Sequence, residues 1–241
     1  MALDERYRTA TEEGADRGAE GSLQDFVVAL GSSQAVIARK QDDMFRLATS
    51  DNEIYGTFYN LTGAGLRLPE GSKWDILRGV VDSALFPNYR EQIRFAALSL
   101  NGIGPTNYGE YSITLRTDMI AHRATVLEEN SILFMAHHKV EIAEAHRLPE
   151  GYRATWSERV KLCIAKLSRL IGSVTKANEY PEILLRQGVT SVDEQFVEVH
   201  IFGPLTIRTI ERVTLTQPKR VNRATIKAIK AKLEKVKVKV S

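Results

Sequence analysis

The sequence predicts a single α+β domain with a helical N-terminal region. Three observations predict it. Segments with helical spacing and segments with strand alternation are mixed from residue 53 onward. No internal repeat and no clean linker divides the 241 residues. Hydrophobic residues make up 43% and charged residues 26%, the balance of an ordinary globular core and surface.

Taken in order, residues 1–21 hold few apolar side chains and several Gly, Glu and Arg, which predicts a flexible lead. "SLQDFVVALG" and "SQAVIARKQDDMFRLATS" read as two short helices, and "EIYGTFYNL" has strand composition. The Gly-rich "TGAGLRLPEG" is a loop. "SKWDILRGVVDSALF" opens with Ser72 and Asp75, a variant of the capping box that starts a helix. "NYREQIRFAALSLNG" reads as a further helix stopped by Asn101-Gly102. After the loop "GIGPTNYG", "EYSITLR" alternates as a strand. "TDMIAHRATVLEEN" fits either a helix or a turn followed by a strand, and "SILFMAHH" a short apolar strand. "TWSERVKLCIAKLSRLIG" is the clearest helix, with Thr155 and Glu158 as capping box and Gly172 at its end. A helix is expected from Pro181. "QFVEVHIFGPLTIRTIERVTL" then reads as two strands around a Gly203-Pro204 turn. The tail starts as a helix after Asn222 and ends in Lys-Val alternation.

Several chemistries are excluded. The phosphate loop GxxxxGK[ST], the dinucleotide fingerprint GxGxxG, and the GxSxG and HExxH motifs are all missing. Cys163 is the only cysteine, so neither an intramolecular disulfide nor a cysteine-based zinc site can form. His137, His138 and His146 lack an i, i+4 helical pair and read as a solvated loop, so no metal is expected. No stretch approaches the roughly 20 apolar residues of a membrane helix. The charged start lacks the apolar core of a secretory signal, and the expected location is the cytoplasm.

In "FVEVHIF", Phe196, Glu198, His200 and Phe202 share one face of a strand. A carboxylate there either points to solvent or serves chemistry. Two stretches decide how to read it. In "YGEYSITLRTDMIAHRATVLEENS", Tyr108-Gly109, Leu115, Arg123-Ala124-Thr125 and Asn130-Ser131 resemble a pattern of the ADP-ribosyltransferase superfamily, in its bacterial toxin-like branch. Asn130 stands where the family usually has Asp. "FVEVHIFGPLTIRTIERV" resembles the family's late strand, whose glutamate precedes a Gly-Pro-type turn. DarT-type toxins, which modify nucleic acid, are similar on the same grounds. Together the stretches cover about 45 of the 241 residues.

The resemblance implies an ADP-ribosyltransferase-like domain over 22–218 with a split antiparallel β core. It implies NAD as substrate, no metal, and Glu198 as catalytic residue. A fixed carboxylate suits the cationic ribose formed when nicotinamide leaves, because preorganised opposite charge stabilises it. His200 would assist by holding the acceptor or the glutamate; otherwise it is a plain edge-strand histidine. For NAD, the candidates are Tyr59 and Asn60, then Tyr108 and Tyr111, with Ser112 supporting Glu198 and Arg123 holding a phosphate. A core position for Tyr59 and a surface salt bridge for Arg123 stand as alternatives. The family's early Arg or His does not appear before Arg67.

The charge distribution adds a partner. Residues 219–241 hold nine Lys or Arg against one acid, Glu234, which gives +8 within an overall +3, so the remaining 218 residues carry −5. Lys227, Lys230 and Lys235 spread over part of the tail helix, and Ile226, Ile229 and Leu233 form an apolar stripe at helical spacing. Such a basic helical tail suits a nucleic acid or an acidic antitoxin. The expected function is therefore a mono-ADP-ribosyltransferase toxin acting on DNA or RNA, in a toxin–antitoxin or phage-defence setting. Transfer to protein, NAD hydrolysis and noncatalytic nucleic-acid binding are the alternatives.

Overall fold

A computed structural model describes residues 2–49, 73–141, 148–190, 193–218 and 221–241. Tyr59, Asn60, the strand expected in "EIYGTFYNL", the Ser72 cap and His146 lie outside them. The chain runs α1 (Ala2–Asp16), α2 (Glu20–Gly31), β1 (Gln34–Arg39), α3 (Gln41–Leu47), α4 (Lys73–Leu85), β2 (Ile93–Ser99), β3 (Tyr111–Leu115), α5 (Thr117–Ile120) and β4 (Ala124–Leu127). It continues with α6 (Ser131–His137), β5 (Arg153–Thr155), α7 (Arg159–Leu167), α8 (Tyr180–Leu184), β6 (Leu185–Arg186), β7 (Gln195–Phe196), β8 (Glu198–Phe202), β9 (Ile210–Leu215), α9 (Arg223–Lys235) and β10 (Lys239–Val240).

The α+β class stands. The expected split β core is corrected: one eight-stranded sheet runs β10-β9-β3-β1-β2-β8-β4-β5, beside a separate β6–β7 ribbon. Its pairings are antiparallel except β10 on β9.

The register sorts the sheet into two faces, because residues paired across a ladder point the same way. Ala35, Ile37, Leu98, Tyr111, Ile113, Val126, Val199 and Ile201 point to one side. There they join Phe26 and Leu30 of α2 and Leu162, Cys163 and Ile164 of α7 in the main core. The other side follows a chain of pairs, Ser112 with Ala38, Val36 with Ala97, and Ala97 with Glu198. This face also holds Phe95 and His200. It is covered in part by a smaller cluster from α4 and α6, made of Val81, Leu85, Phe86, Ile132 and Met135 with Ile93.

Four expectations are corrected, each for a physical reason. Residues 34–39 and 93–99 are strands, not helices. Both are covered on their two faces, so their near-continuous apolar runs carry no period that separates helix from strand. "SILFMAHH" forms helix α6, started by Asn130, whose side-chain oxygen accepts from the Ile132 N–H at 3.0 Å. The flexible lead is helix α1. Its Leu3, Tyr7, Ala10 and Gly14 recur at helical spacing, and the first three pack on the main core. At Gly14 a Cβ would sit 2.9 Å from Leu23 Cδ2, so the glycine lets the chain turn closely onto α2. The ambiguous stretch 117–127 resolves as a short helix and then β4.

The tail belongs to the same core. Ile229 and Leu233 are buried in the main cluster, and β10 extends the sheet in parallel with β9. Lys227, Lys230 and Lys235 are exposed.

This placement predicts the outcome of two substitutions in α9. Leu233→Ala should lower unfolding free energy by about 2–5 kcal/mol, the range for emptying a buried leucine site. Lys230→Ala should change it by about 0.5 kcal/mol or less. Chemical denaturation measures both, and a harmless Leu233→Ala would mean that the tail does not dock.

Candidate active site

Glu198 opens β8, between β2 and β4. It is 1% exposed. A carboxylate so placed must be paired or neutralised. Four groups meet it. His200 Nε2 lies 2.8 Å from Oε1, and the Ser131 backbone N–H donates to Oε1 at 3.3 Å. Asn130 Nδ2 donates to Oε2 at 3.2 Å, and Arg78 NH2 to the same oxygen at 3.4 Å.

Burial alone would push the Glu198 carboxyl upward. The Arg78 charge, with the His200 and Ser131 hydrogen bonds, outweighs it and holds the group at about 2. Arg78 is fixed in turn by Asp82 at 3.4 Å, by the Ser131 hydroxyl at 2.8 Å, and by the Phe95 ring 4.6 Å beneath its guanidinium. Burial, with Arg153 and Arg78 adding to it, keeps His200 below its ordinary value despite the pull of Glu198. His200 is thus neutral at pH 7, and the contact with Glu198 is a hydrogen bond rather than an ion pair.

The tautomer follows from the partners. Arg153 NH2 lies 3.4 Å from His200 Nδ1. A guanidinium can only donate, so Nδ1 accepts and Nε2 carries the proton given to Glu198. Phe86 and Phe95 pack edge-on to the imidazole, with centroids 5.1 and 5.3 Å away. Glu198 and Asp82 against Arg78 and Arg153 leave the centre neutral.

The two quoted stretches meet here. β4 and β8 are neighbours, with Leu127 opposite Glu198. Asn130 and Ser131 follow β4 and reach the carboxylate. Tyr108 packs with Ala97, Leu185 and Phe196 on the Glu198 face. Gly109 has a steric reason, since a Cβ there would lie 2.0 Å from the Arg39 carbonyl carbon. Arg123 is engaged with backbone. It donates to the carbonyls of Phe202 at 2.6 Å, Pro204 at 3.0 Å and Met119 at 3.1 Å. In this structure it therefore ties down the Gly203-Pro204 turn, where Gly203 adopts φ +82°, rather than standing free for a phosphate.

The expectations for Ser112 and Tyr111 are corrected. β3 does not lie beside β8, because β1 and β2 intervene. Ser112 shares the face of Glu198 but sits three strand spacings away, roughly 14 Å. There its hydroxyl accepts from the Gly104 N–H at 2.9 Å. Tyr111 points to the opposite face, into the main core. The cause is topological: β1 and β2, both read as helix from sequence, are strands and occupy the positions between.

Sequence reasoning missed Arg78, Asp82, Arg153, Phe86 and Phe95. Arg78 and Asp82 carry a local signal, an i, i+4 pair on α4. Arg153 and the two phenylalanines carry none. No family model matches the chain, and no curated protein matches it.

Asn130 performs two tasks that an aspartate could not combine. Its oxygen caps α6 and its amide supports Glu198. Asn130→Asp keeps the cap but sets two carboxylates together, so it should cost on the order of 1–3 kcal/mol at pH 7. The cost should shrink as pH falls toward about 4, because the acid beside Glu198 takes up its proton at higher pH in the folded state than in the unfolded chain. In the wild type, the lowered Glu198 value stabilises the fold above its unfolded pKa of about 4.5. That contribution is lost as pH falls toward 2. Denaturant midpoints from pH 7 to pH 3 test both statements. Equal stability of Asn130→Asp and wild type at pH 7 would contradict the contact.

Proposed function

We propose that the chain is an NAD-dependent mono-ADP-ribosyltransferase with Glu198 as its catalytic carboxylate. One observation carries the reading: the two stretches that resemble the superfamily, far apart in sequence, converge on Glu198. Tyr108 and Phe196 lie on its face, and Asn130 and Ser131 bond to it.

In the reaction, the bond between ribose C1′ and the nicotinamide nitrogen breaks, and its electron pair leaves with nicotinamide. The ribose becomes an oxocarbenium, and an acceptor oxygen or nitrogen bonds to C1′ and gives up a proton. A carboxylate kept ionised stabilises the cation and can accept a ribose hydroxyl hydrogen bond. His200 is a positioning residue, because its Nε2–H orients Glu198. Arg78 neutralises part of the Glu198 charge, so catalysis requires its guanidinium to move off Oε2. Its side chain is 15% exposed, so the move would start from a partly solvated position.

The acceptor we propose is DNA or RNA, bound through Lys227, Lys230 and Lys235, in a toxin setting where an antitoxin could occupy the same basic face. β10, at the end of the tail, lies five strand spacings from β8, roughly 24 Å, so the acceptor would have to span that distance.

A second reading has its own observation. Glu198 is 1% exposed with both oxygens bonded, as in a purely structural polar centre. Incubation with labelled NAD separates the two. We expect label on DNA or RNA with the wild type. Glu198→Gln should reduce labelling by roughly 10²-fold or more while remaining folded. Label on protein would redirect the acceptor, and free ADP-ribose alone would indicate a glycohydrolase. Absence of NAD turnover, with Glu198→Gln changing only stability, would establish the structural reading.

A further inference from the structure

We propose that Glu128, Glu129 and His138 form a binding site for a divalent transition-metal ion of the zinc class. The inference does not depend on the transferase reading. The site lies in an open groove of about 1150 Å³ whose walls include α1, the end of β4, α6 and α7. One oxygen of each glutamate and one nitrogen of His138 lie within 4.8 Å of one another.

The arrangement is built rather than a chance gathering of surface acids. Glu128 and Glu129 are consecutive, yet both are buried and both carboxylates turn toward the same imidazole. Each carboxylate has one oxygen anchored away from His138 and one turned toward it. Arg6 donates to Glu128 Oε2 at 2.7 Å, and His137 Nδ1 holds Glu129 Oε2 at 3.0 Å. The remaining oxygens, both Oε1, face His138 Nε2 at 3.4 and 4.0 Å. That imidazole makes no side-chain hydrogen bond among the described residues. It is clamped by Phe134, stacked at 4.2 Å, and by Tyr152, edge-on at 4.5 Å.

The spacing suits a metal better than a direct hydrogen bond. Ligands about 2.1 Å from a tetrahedral ion sit roughly 3.4 Å from one another. The 3.4 and 4.0 Å separations need only small side-chain adjustment to reach that geometry. One imidazole and two carboxylates form a zinc-type ligand set with room for water as the fourth ligand. Arg6 and His137 would then act as outer partners that orient the ligand oxygens.

One group competes. Lys166 Nζ lies 3.7 Å from Glu129 Oε1 and takes the position of a cation beside it. Its side chain is partly exposed on α7, so an arriving ion can displace it. The competitor gives the proposal a test that misfolding cannot mimic. The turn concerned also continues into Asn130 and Ser131, so a bound ion would stiffen the segment that holds Glu198.

The test uses the full chain, freed of metal and titrated with Zn²⁺ by calorimetry and with Co²⁺ by visible absorption. We expect saturable one-to-one binding with His138 Nε2 shifted in nitrogen NMR. His138→Ala and the near-isosteric Glu129→Gln should each weaken binding at least tenfold, while His122→Ala, away from the groove, leaves it unchanged. Lys166→Gln should tighten binding. Absence of saturable binding, affinity unmoved by His138→Ala and Glu129→Gln, or a Lys166→Gln variant that binds no better would overturn the proposal.

Discussion

A negative charge inside a sheet must be answered where it stands, and the Glu198 centre is organised around that need. Its partners come from three different parts of the chain. Arg78 belongs to α4, Asn130 and Ser131 to the turn after β4, and His200 to β8 itself. Arg153 on β5 then fixes the His200 ring. Each carboxylate oxygen has two partners, so the loss of one weakens the compensation of the buried charge without abolishing it. The network therefore ties a helix, a turn and an edge strand to the middle of the sheet.

The two faces of the sheet divide the work. One packs aliphatic and aromatic side chains against α1, α2 and α7, and its burial drives the collapse. The other carries Glu198, His200 and Ser112 among smaller apolar clusters, so it needs polar partners for each group it buries. A strand with two buried faces of unlike chemistry cannot be understood from its apolar residues alone.

The residues that carry the resemblance sort by physical task. Gly109 lets two segments of backbone pass at a distance that a side chain would block, and Arg123 closes the turn after β8. Asn130 and Ser131 touch the carboxylate directly. Asn130 is a residue type that can cap a helix and still donate to Glu198. An aspartate at this position would face a second negative charge within hydrogen-bond distance.

The sequence by itself determined the α+β class, strands β3, β8 and β9, helices α4, α7 and α9, and the sharing of one strand face by Glu198 and His200. Each of these rests on a short-range period, and α9 also on its Asn222 cap, whereas the Thr155–Glu158 box expected for α7 makes no cap hydrogen bond to the helix. It could not determine β1 and β2, because strands buried on both faces lose the alternation that marks a strand. That one misreading displaced β3, which alternates clearly yet lies three strands from β8. Tertiary structure alone decided who meets Glu198. Arg78 is 120 residues away along the chain and Asn130 is 68. Periodicity fixes which way a side chain points within its own element. Which groups it then encounters depends on strand order and helix docking, and these are set by contacts between segments that no local window contains.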